Sequence, residues 1–399
     1  MTDTPWSSVV NSCRALLRPP VTERIARQAS IGRLLLETIV SDRDYPSGDL
    51  STMDGYAVSE ELLDLYRVHG ENRPGCGPGP SLEPGTARRI FTGAALPQGA
   101  TRVIPQEMIS REEDSLKIIS MPAATYLRSA GSEIREGVPV LHPGTRITPI
   151  ELSILATLGV SEVCVAQRPV IGHLVTGDEL ADPDSPLTGS MIRDSNSALV
   201  ECSLRNAGYS VSHHQRVGDD ESALTTAIDL AAKTCDFLLV SGGASVGDHD
   251  YARVALQALG FEFVVHGVHL RPGKPIGIAR RNHQWGIALP GNPVSHLVAL
   301  ELFVIPILRG LEGEMSFSPT FLEGVVEQPP TTGVPRRPTF WPATVVVREG
   351  GFHLRASRFL SSGDLIGIAG ANALLYLEQD ADVPGTGAKV PFIFLNTQI

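Results

Sequence analysis

From Arg168 onward the chain alternates between two kinds of segment. PVIGHLV (169–175), YSVSHHQRV (209–217) and CDFLLV (235–240) read as strands, rich in apolar and β-branched residues. SNSALVECSLRNAG (195–208), DESALTTAIDLAAKT (220–234) and YARVALQALG (251–260) carry apolar residues at helical spacing between or after them. Few architectures accommodate such alternation, and the expectation is a doubly wound α/β domain on a mostly parallel sheet. WGIALPGNPVSHLVALEL (285–302) adds a further strand, a tight turn and a long helix.

The chain has 399 residues, too many for one ordinary core, so further domains are expected on either side. Residues 41–135 are dense in Gly and Pro (RPGCGPGPSLEPG) with short strand-like runs, GYAV, RVIPQEMI and LKIISM. That texture predicts a small β-domain. RIARQASIGRLLLETIV (24–40) and ITPIELSILATLGV (147–160) show helical spacing, and VSEVCVA (160–166) reads as a strand. The predicted organisation is therefore a discontinuous helical and linker domain (1–45 and 136–167) with a β-domain (46–135) inserted into it. The α/β domain (168–315) follows, then a C-terminal β-domain (316–399) read from FLEGVVEQ, FWPATVVVRE, GFHLRAS, ALLYLEQD and KVPFIFLN.

A net charge of −11 disfavours nucleic acid or an anionic membrane as partner, and any anionic substrate must be held by local donors. The five cysteines are scattered without a C-x-x-C, so neither a disulfide framework nor a zinc site is expected. The N-terminus lacks the charged start and apolar core of a secretory signal. VSHLVALELFVIPILRGL carries His296, Glu301 and Pro306 and reads as a core helix, not a membrane span. A reduced, cytoplasmic setting is the expectation.

Ligands of open α/β sheets bind beyond the carboxyl ends of the strands. Thr176-Gly177-Asp178-Glu179 follows the first strand, Gly218-Asp219-Asp220 the second, and the run Ser241 to Asp250 the third. Ser241, Gly242, Gly243, Ser245 and Gly247 could close backbone N–H groups around an anion, yet the run continues into Asp248 and Asp250. Taken singly, Asp219 or Asp220 could be a helix N-cap and Asp250 a first-turn acid. Taken together they suit a hard cation, Mg²⁺ on Asp219 and Asp250, bridging to phosphate oxygens. The run is neither a Walker A loop nor a G-x-G-x-x-G fingerprint. In HLRPGKP, Arg271 and Lys274 offer two cations to a phosphate or small oxyanion, with a solvated basic turn as the alternative. LPGNPVS is a rigid strand-to-helix turn that offers Pro290 and Asn292 as substrate-binding candidates; Asn292 could bond the loop or a ligand, with a plain turn and a good cap as the alternative.

STMDGYAV (51–58), RIFTGAALPQGAT (89–101), TGDEL (176–180), SGGASVGDHDY (241–251), RPGKP (271–275) and LPGNPVS (289–295) occur in this order. Together they resemble the molybdopterin molybdenumtransferase family, the MoeA-like family that includes the E domain of gephyrin. The resemblance runs across nearly the whole chain, from IGRLLLETIV to ANALL. It implies an elongated homodimer of four-domain subunits that inserts molybdate into adenylylated molybdopterin with Mg²⁺, releasing AMP. It also implies the adenylylating enzyme and acceptor molybdoenzymes as partners. Carried over by motif, the acidic set is Asp54, Glu133, Glu179, Asp219 and Asp250. Thr176 and Gly177 would bind substrate beside the Gly-rich loop. Molybdate would sit near Arg271, Lys274 and Ser245, and Arg337 with Ser361 and Ser362 would add oxyanion contacts from the C-terminal domain. Glu179, Glu133 or Asp54 would position an attacking water or accept its proton.

The chain departs from the family pattern in places. Glu133 stands where members often have Asp, and Arg271 where others have Lys. Gly267 stands where some carry a second Lys, and Pro342 where an Arg is frequent. These changes bear on rate, oxyanion affinity and the choice between molybdate and tungstate. Two other readings stay open: molybdopterin adenylylation, and a catalytically weak paralogue acting as a molybdopterin-binding scaffold.

Overall fold

A computed structural model describes residues 3–59, 63–181, 184–243, 251–348 and 350–395. The chain divides into two compact units, Arg24–Val165 and a second made of Met1–Glu23 with Ala166–Ile399.

The first unit is built from strands. Six of them form one sheet in the order Arg102–Pro105, Gly55–Val58, Thr86–Ile90, Leu65–Asn72, Ser115–Ile118 and Ile109–Glu112. Gly55–Val58 is buried along its whole length, with Tyr56 and Val58 packed in one apolar cluster and Ala57 in another. A third cluster, including Leu35, Ile39, Leu155 and Val163, organises the remainder. The one α-helix described there, Pro149–Thr157, starts where the chain dictates. Pro149 occupies its first turn, and Thr148 and Glu151 form a reciprocal capping box.

The helix expected over 24–40 is not formed. Thr22–Ala26 is a strand paired with Glu162–Ala166, Arg27–Ala29 is a single 3-10 turn, and Ile39–Val40 pairs with Pro139–Leu141. Gly32, at φ 71°, breaks the run. The apolar spacing was real, but its residues meet distant strands and not a neighbouring helical turn.

The second unit contains the α/β domain. Its sheet runs Val211–Val217, Ile171–Thr176, Phe237–Ser241, Gln284–Leu289, Gly277–Arg281, Glu262–Val265. The first four are parallel in register, and the last two add an antiparallel edge. Ile171–Thr176 and Phe237–Ser241 are buried at every position, as expected of strands covered on both faces. The strand order reverses at Ile171–Thr176, whose neighbours are the next two parallel strands in sequence, so a crevice opens at that switch point. Trp6–Arg14, nine residues long, is too short to persist alone. It buries Val9, Val10 and Cys13 against this domain, at roughly 1.5–3 kcal/mol per large apolar side chain. The apolar helical run Pro293–Leu311 lies mostly inside the protein, as expected for a core helix.

The C-terminal strands close into a barrel in the order Leu322–Gln328, Gly351–Ala356, Thr339–Arg348, Ala373–Leu377 and Lys389–Phe394. Its apolar interior is continuous with one face of the α/β core. The two are also stitched through the backbone at Arg271, whose N–H donates to Pro338 O (2.9 Å) while its carbonyl accepts from Phe340 N (2.8 Å).

Candidate active site

Two cavities open along the carboxyl edge of the parallel strands. The larger, about 560 Å³, is lined by Thr176, Gly177, Glu179, Asp219, Ser241, Gly242 and Gly243 among others. The turns after Ile171–Thr176 and Val211–Val217 are latched together. Thr176 Oγ1 donates to Asp219 Oδ1 at 2.5 Å, Asp178 N to Asp219 Oδ2 at 3.3 Å, and Asp219 N to Asp178 Oδ1 at 3.1 Å. Asp220 is the N-cap of Glu221–Ala231, accepting from Ala223 N at 2.6 Å. The two adjacent acids thus divide the work: Asp220 caps the helix, and Asp219 faces the cavity.

Only the start of the Gly-rich loop is described, because Ser245, Gly247 and Asp250 lie outside the described residues. What is described corrects one expectation. The Gly242 N–H donates to Leu289 O (3.2 Å) and so is not free for an anion nest; the Ser241 hydroxyl, a separate donor, is enclosed between His173 and His296. Gly242 is required by shape instead. Its φ is +89°, and an added Cβ would lie 2.2 Å from Thr176 O.

The wall opposite the loop holds residues that the motif reading did not single out. Asp194 caps Ser195–Asn206 through Ser197 N (3.0 Å), and Asn196 Nδ2 donates to Gly291 O (2.7 Å). Asn196 Oδ1 is buried without a hydrogen-bond partner among the described residues, an acceptor on the cavity wall. Their one signal in the sequence was the position of RDSN at a helix start.

The smaller cavity, about 370 Å³, gathers Arg271, Lys274, Pro290, Asn292, Arg337, Ser361 and Ser362. Three cations and no carboxylate line it among the described residues, so its field favours an anion. Arg337 is held by its NH1, which donates to Leu270 O at 3.1 Å, and Val294 N donates to Ser362 O at 3.0 Å. The barrel and the RPGKP turn therefore present one basic surface. The turn 290–293 separates the two cavities: Gly291 and Pro293 line the larger, Pro290 and Asn292 the smaller.

Asp54 and Glu133 belong to the other compact unit. Asp54 Oδ1 accepts from both Thr92 N (2.7 Å) and Thr92 Oγ1 (2.8 Å), which joins MDGYA to RIFTGAA. These bonds hold its carboxyl below the usual Asp range, so it is ionised and a weak base. Glu133 is exposed and paired with Arg128 at 2.9 Å.

Residues 5–159 match the family described as "MoeA N-terminal region (domain I and II)", and residues 172–310 match "Probable molybdopterin binding domain". The molybdopterin molybdenumtransferase of Nostoc sp. is 33% identical over 89% of this chain and 85% of its own length. The chain belongs to the molybdopterin molybdenumtransferase family. The Haemophilus influenzae enzyme of that name is likewise 33% identical, over 74% of each chain. The molybdopterin biosynthesis MoeA protein from Pyrococcus horikosii superposes over 100% of both chains, with a TM-score of 0.81 and 25% identity. The α/β unit, the N-terminal β-rich region and the C-terminal barrel of this molybdenumtransferase-family chain are thus those of the MoeA-like fold.

A hard divalent cation fits the donors present. Asp219 offers carboxylate oxygens at the cavity wall, and Mg²⁺ is commonly held by one or two carboxylates together with substrate phosphates. Among the described residues no group of three or more His, Cys, Asp or Glu forms a metal cage of its own.

Proposed function

We propose that this protein inserts molybdate into adenylylated molybdopterin, releasing AMP and the molybdenum cofactor, as a Mg²⁺-dependent homodimer. The observation that carries the reading is the pairing of cavities across the 290–293 turn. One is large and lined by glycines and acids at the sheet's switch point, the other small and cationic. A nucleotide-linked pterin needs the first, and a compact dianion such as molybdate needs the second.

Release of AMP breaks a P–O bond of the phosphoanhydride as water adds to phosphorus, and the water must lose a proton. Two exposed carboxylates line the larger cavity, Glu179 and Asp219; Asp219 accepts from Thr176 and Asp178, so Glu179 is assigned that role. Asp54 is less suited, because Thr92 stabilises its ionised form. Asp219 and Asp250 would hold Mg²⁺, which when bound neutralises charge on the phosphate oxygens. Arg271, Lys274 and Arg337 would hold molybdate, with Ser361 and Ser362 offering hydroxyl contacts.

The deciding experiment measures AMP release from adenylylated molybdopterin with Mg²⁺, with and without molybdate. Molybdate-stimulated AMP release with cofactor formation is expected. Tight binding without release, beside an active control enzyme, would replace this reading with that of a binding scaffold. ATP consumption with molybdopterin would indicate adenylylation.

A further inference from the structure

Ser241 ends a strand at the larger cavity, yet its side chain is fully buried, as are His173 and His296. Its Oγ lies 2.7 Å from His173 Nε2 and 2.8 Å from His296 Nε2. His296 Nδ1 lies 3.3 Å from the carbonyl oxygen of Asn292.

Hydrogen counting gives this chain a direction. A carbonyl only accepts, so His296 carries its hydrogen on Nδ1. Burial disfavours a charged ring and pushes its pKa down to about 4, which leaves Nε2 as an acceptor. Ser241 must then donate to His296. A hydroxyl has one hydrogen, so its contact with His173 is accepted from an Nε2–H. His173 is neutral too: burial, with His214 and His296 adding to it, pushes its pKa down to about 3. The order is therefore His173 Nε2–H to Ser241 Oγ–H to His296 Nε2, then His296 Nδ1–H to Asn292 O.

The chain touches both cavities. Its middle member, Ser241, immediately precedes Gly242, the positive-φ turn of the larger cavity, and its last, Asn292, lines the smaller one. The backbone bond from Gly242 N to Leu289 O also links these walls. Apolar side chains would fill the same space without any need for polar partners, so a buried, directional polar chain favours one register over alternatives more than it adds stability.

We propose that His173, Ser241 and His296 are positioning residues that hold the Gly242 turn and the Asn292 turn in a single register for the bound substrate. The proposal rests on the functional reading above and deepens it.

The test uses the full-length protein and three variants: His296→Leu, His296→Gln and His173→Leu. Nitrogen-15 NMR of the wild-type imidazoles should show His173 as the Nε2–H tautomer and His296 as Nδ1–H; the opposite tautomer at either ring overturns the direction. In His296→Leu, hydrogen exchange at the Gly242 amide should rise by about 10-fold or more. Its affinity for AMP should fall roughly 5- to 20-fold, the range of one or two lost hydrogen bonds. His296→Gln keeps an acceptor near the Ser241 hydroxyl and should recover AMP affinity to within about 3-fold of wild type. His173→Leu cuts the chain from a strand at its far end and should loosen Gly242 in the same direction, so the proposal survives a folding failure at position 296. Unchanged AMP affinity in folded leucine variants overturns positioning. A wild-type protein that binds neither AMP nor molybdate sinks the functional reading instead, and exchange at Gly242 still decides whether the chain orders the turn.

Discussion

The carboxylate of Asp3 reaches past Gly267 to the ammonium of Lys274, Oδ2 to Nζ 3.4 Å. An added Cβ at Gly267 would stand 2.9 Å from Asp3 Oδ1, so the glycine and the ion pair are linked. Where some members of the family carry a second lysine, this chain admits an acid that draws charge from the anion cavity. The pair is half-exposed, so its effect is modest. Asp3→Asn should lower the molybdate concentration for half-maximal rate by about 2- to 5-fold at low ionic strength, and the difference should vanish in high salt. Titration of the rate with molybdate at two salt concentrations checks this; an unchanged or higher value would separate Lys274 from oxyanion binding.

Arg271 should matter more. Its backbone is clamped between Pro338 and Phe340, which fixes where the side chain starts at the cavity wall. Arg271→Ala should raise the half-saturating molybdate concentration by roughly 10- to 100-fold, as expected for a lost charge-assisted contact. Arg271→Lys should restore only part of it, because the planar fork is lost. If molybdate dependence stays put in the alanine variant, the oxyanion belongs elsewhere.

Asp219→Asn keeps an oxygen that can accept from Thr176 but removes the charge facing the cavity. Turnover should fall by about 100-fold or more with only a modest change in Tm, since the bond from Asp219 N to Asp178 Oδ1 persists while the longer one from Asp178 N to Oδ2 and the metal affinity are lost. A large drop in Tm with full residual activity per folded molecule would assign Asp219 to structure alone.

Gly242→Ala is expected to fail for a different reason. The left-handed φ and the contact with Thr176 O together place its cost at roughly 2–4 kcal/mol, a sizeable share of a domain's stability. Chemical denaturation reads it directly; a shift below about 0.5 kcal/mol would show that the turn relaxes freely.

Asp54 sets a pH dependence in the other compact unit. Its folded pKa lies below the ordinary value, so the stability it contributes is present above that ordinary value, 3.8, and is lost as pH falls through the lowered one. The stability gap between wild type and Asp54→Asn should therefore be constant at neutral pH and shrink only in strong acid. A gap that already closes near pH 5 would contradict the Thr92 contacts.

The α/β domain was legible because its signals are local. Alternation marks its strands, Asp194 and Asp220 announce helix starts, and Pro293 opens the long core helix. Residues 24–40 were misread because Leu34, Leu35 and Ile39 answer to partners more than a hundred residues away, which periodicity cannot register. The motif residues of the larger cavity were found, but not their division of labour. That Asp219 faces the cavity while Asp220 caps, and that Ser241 turns inward, depends on which side chain a strand end directs to which face. His173 and His296 left a trace: each is a polar residue inside a largely apolar run. Asp3 left none, because its meaning comes only from a parallel pairing of Thr4–Pro5 with Val268–His269.

The short turn 290–293 is a party wall, with alternate residues facing separate chambers. A shift of this turn toward one chamber would change the lining of the other. Whatever factor a filled cationic chamber imposes on nucleotide affinity, the nucleotide must impose on the oxyanion in return. Under the proposed function, order of arrival leaves the ternary state's total free energy unchanged, and any coupling between the two reactants would pass through these four residues of backbone.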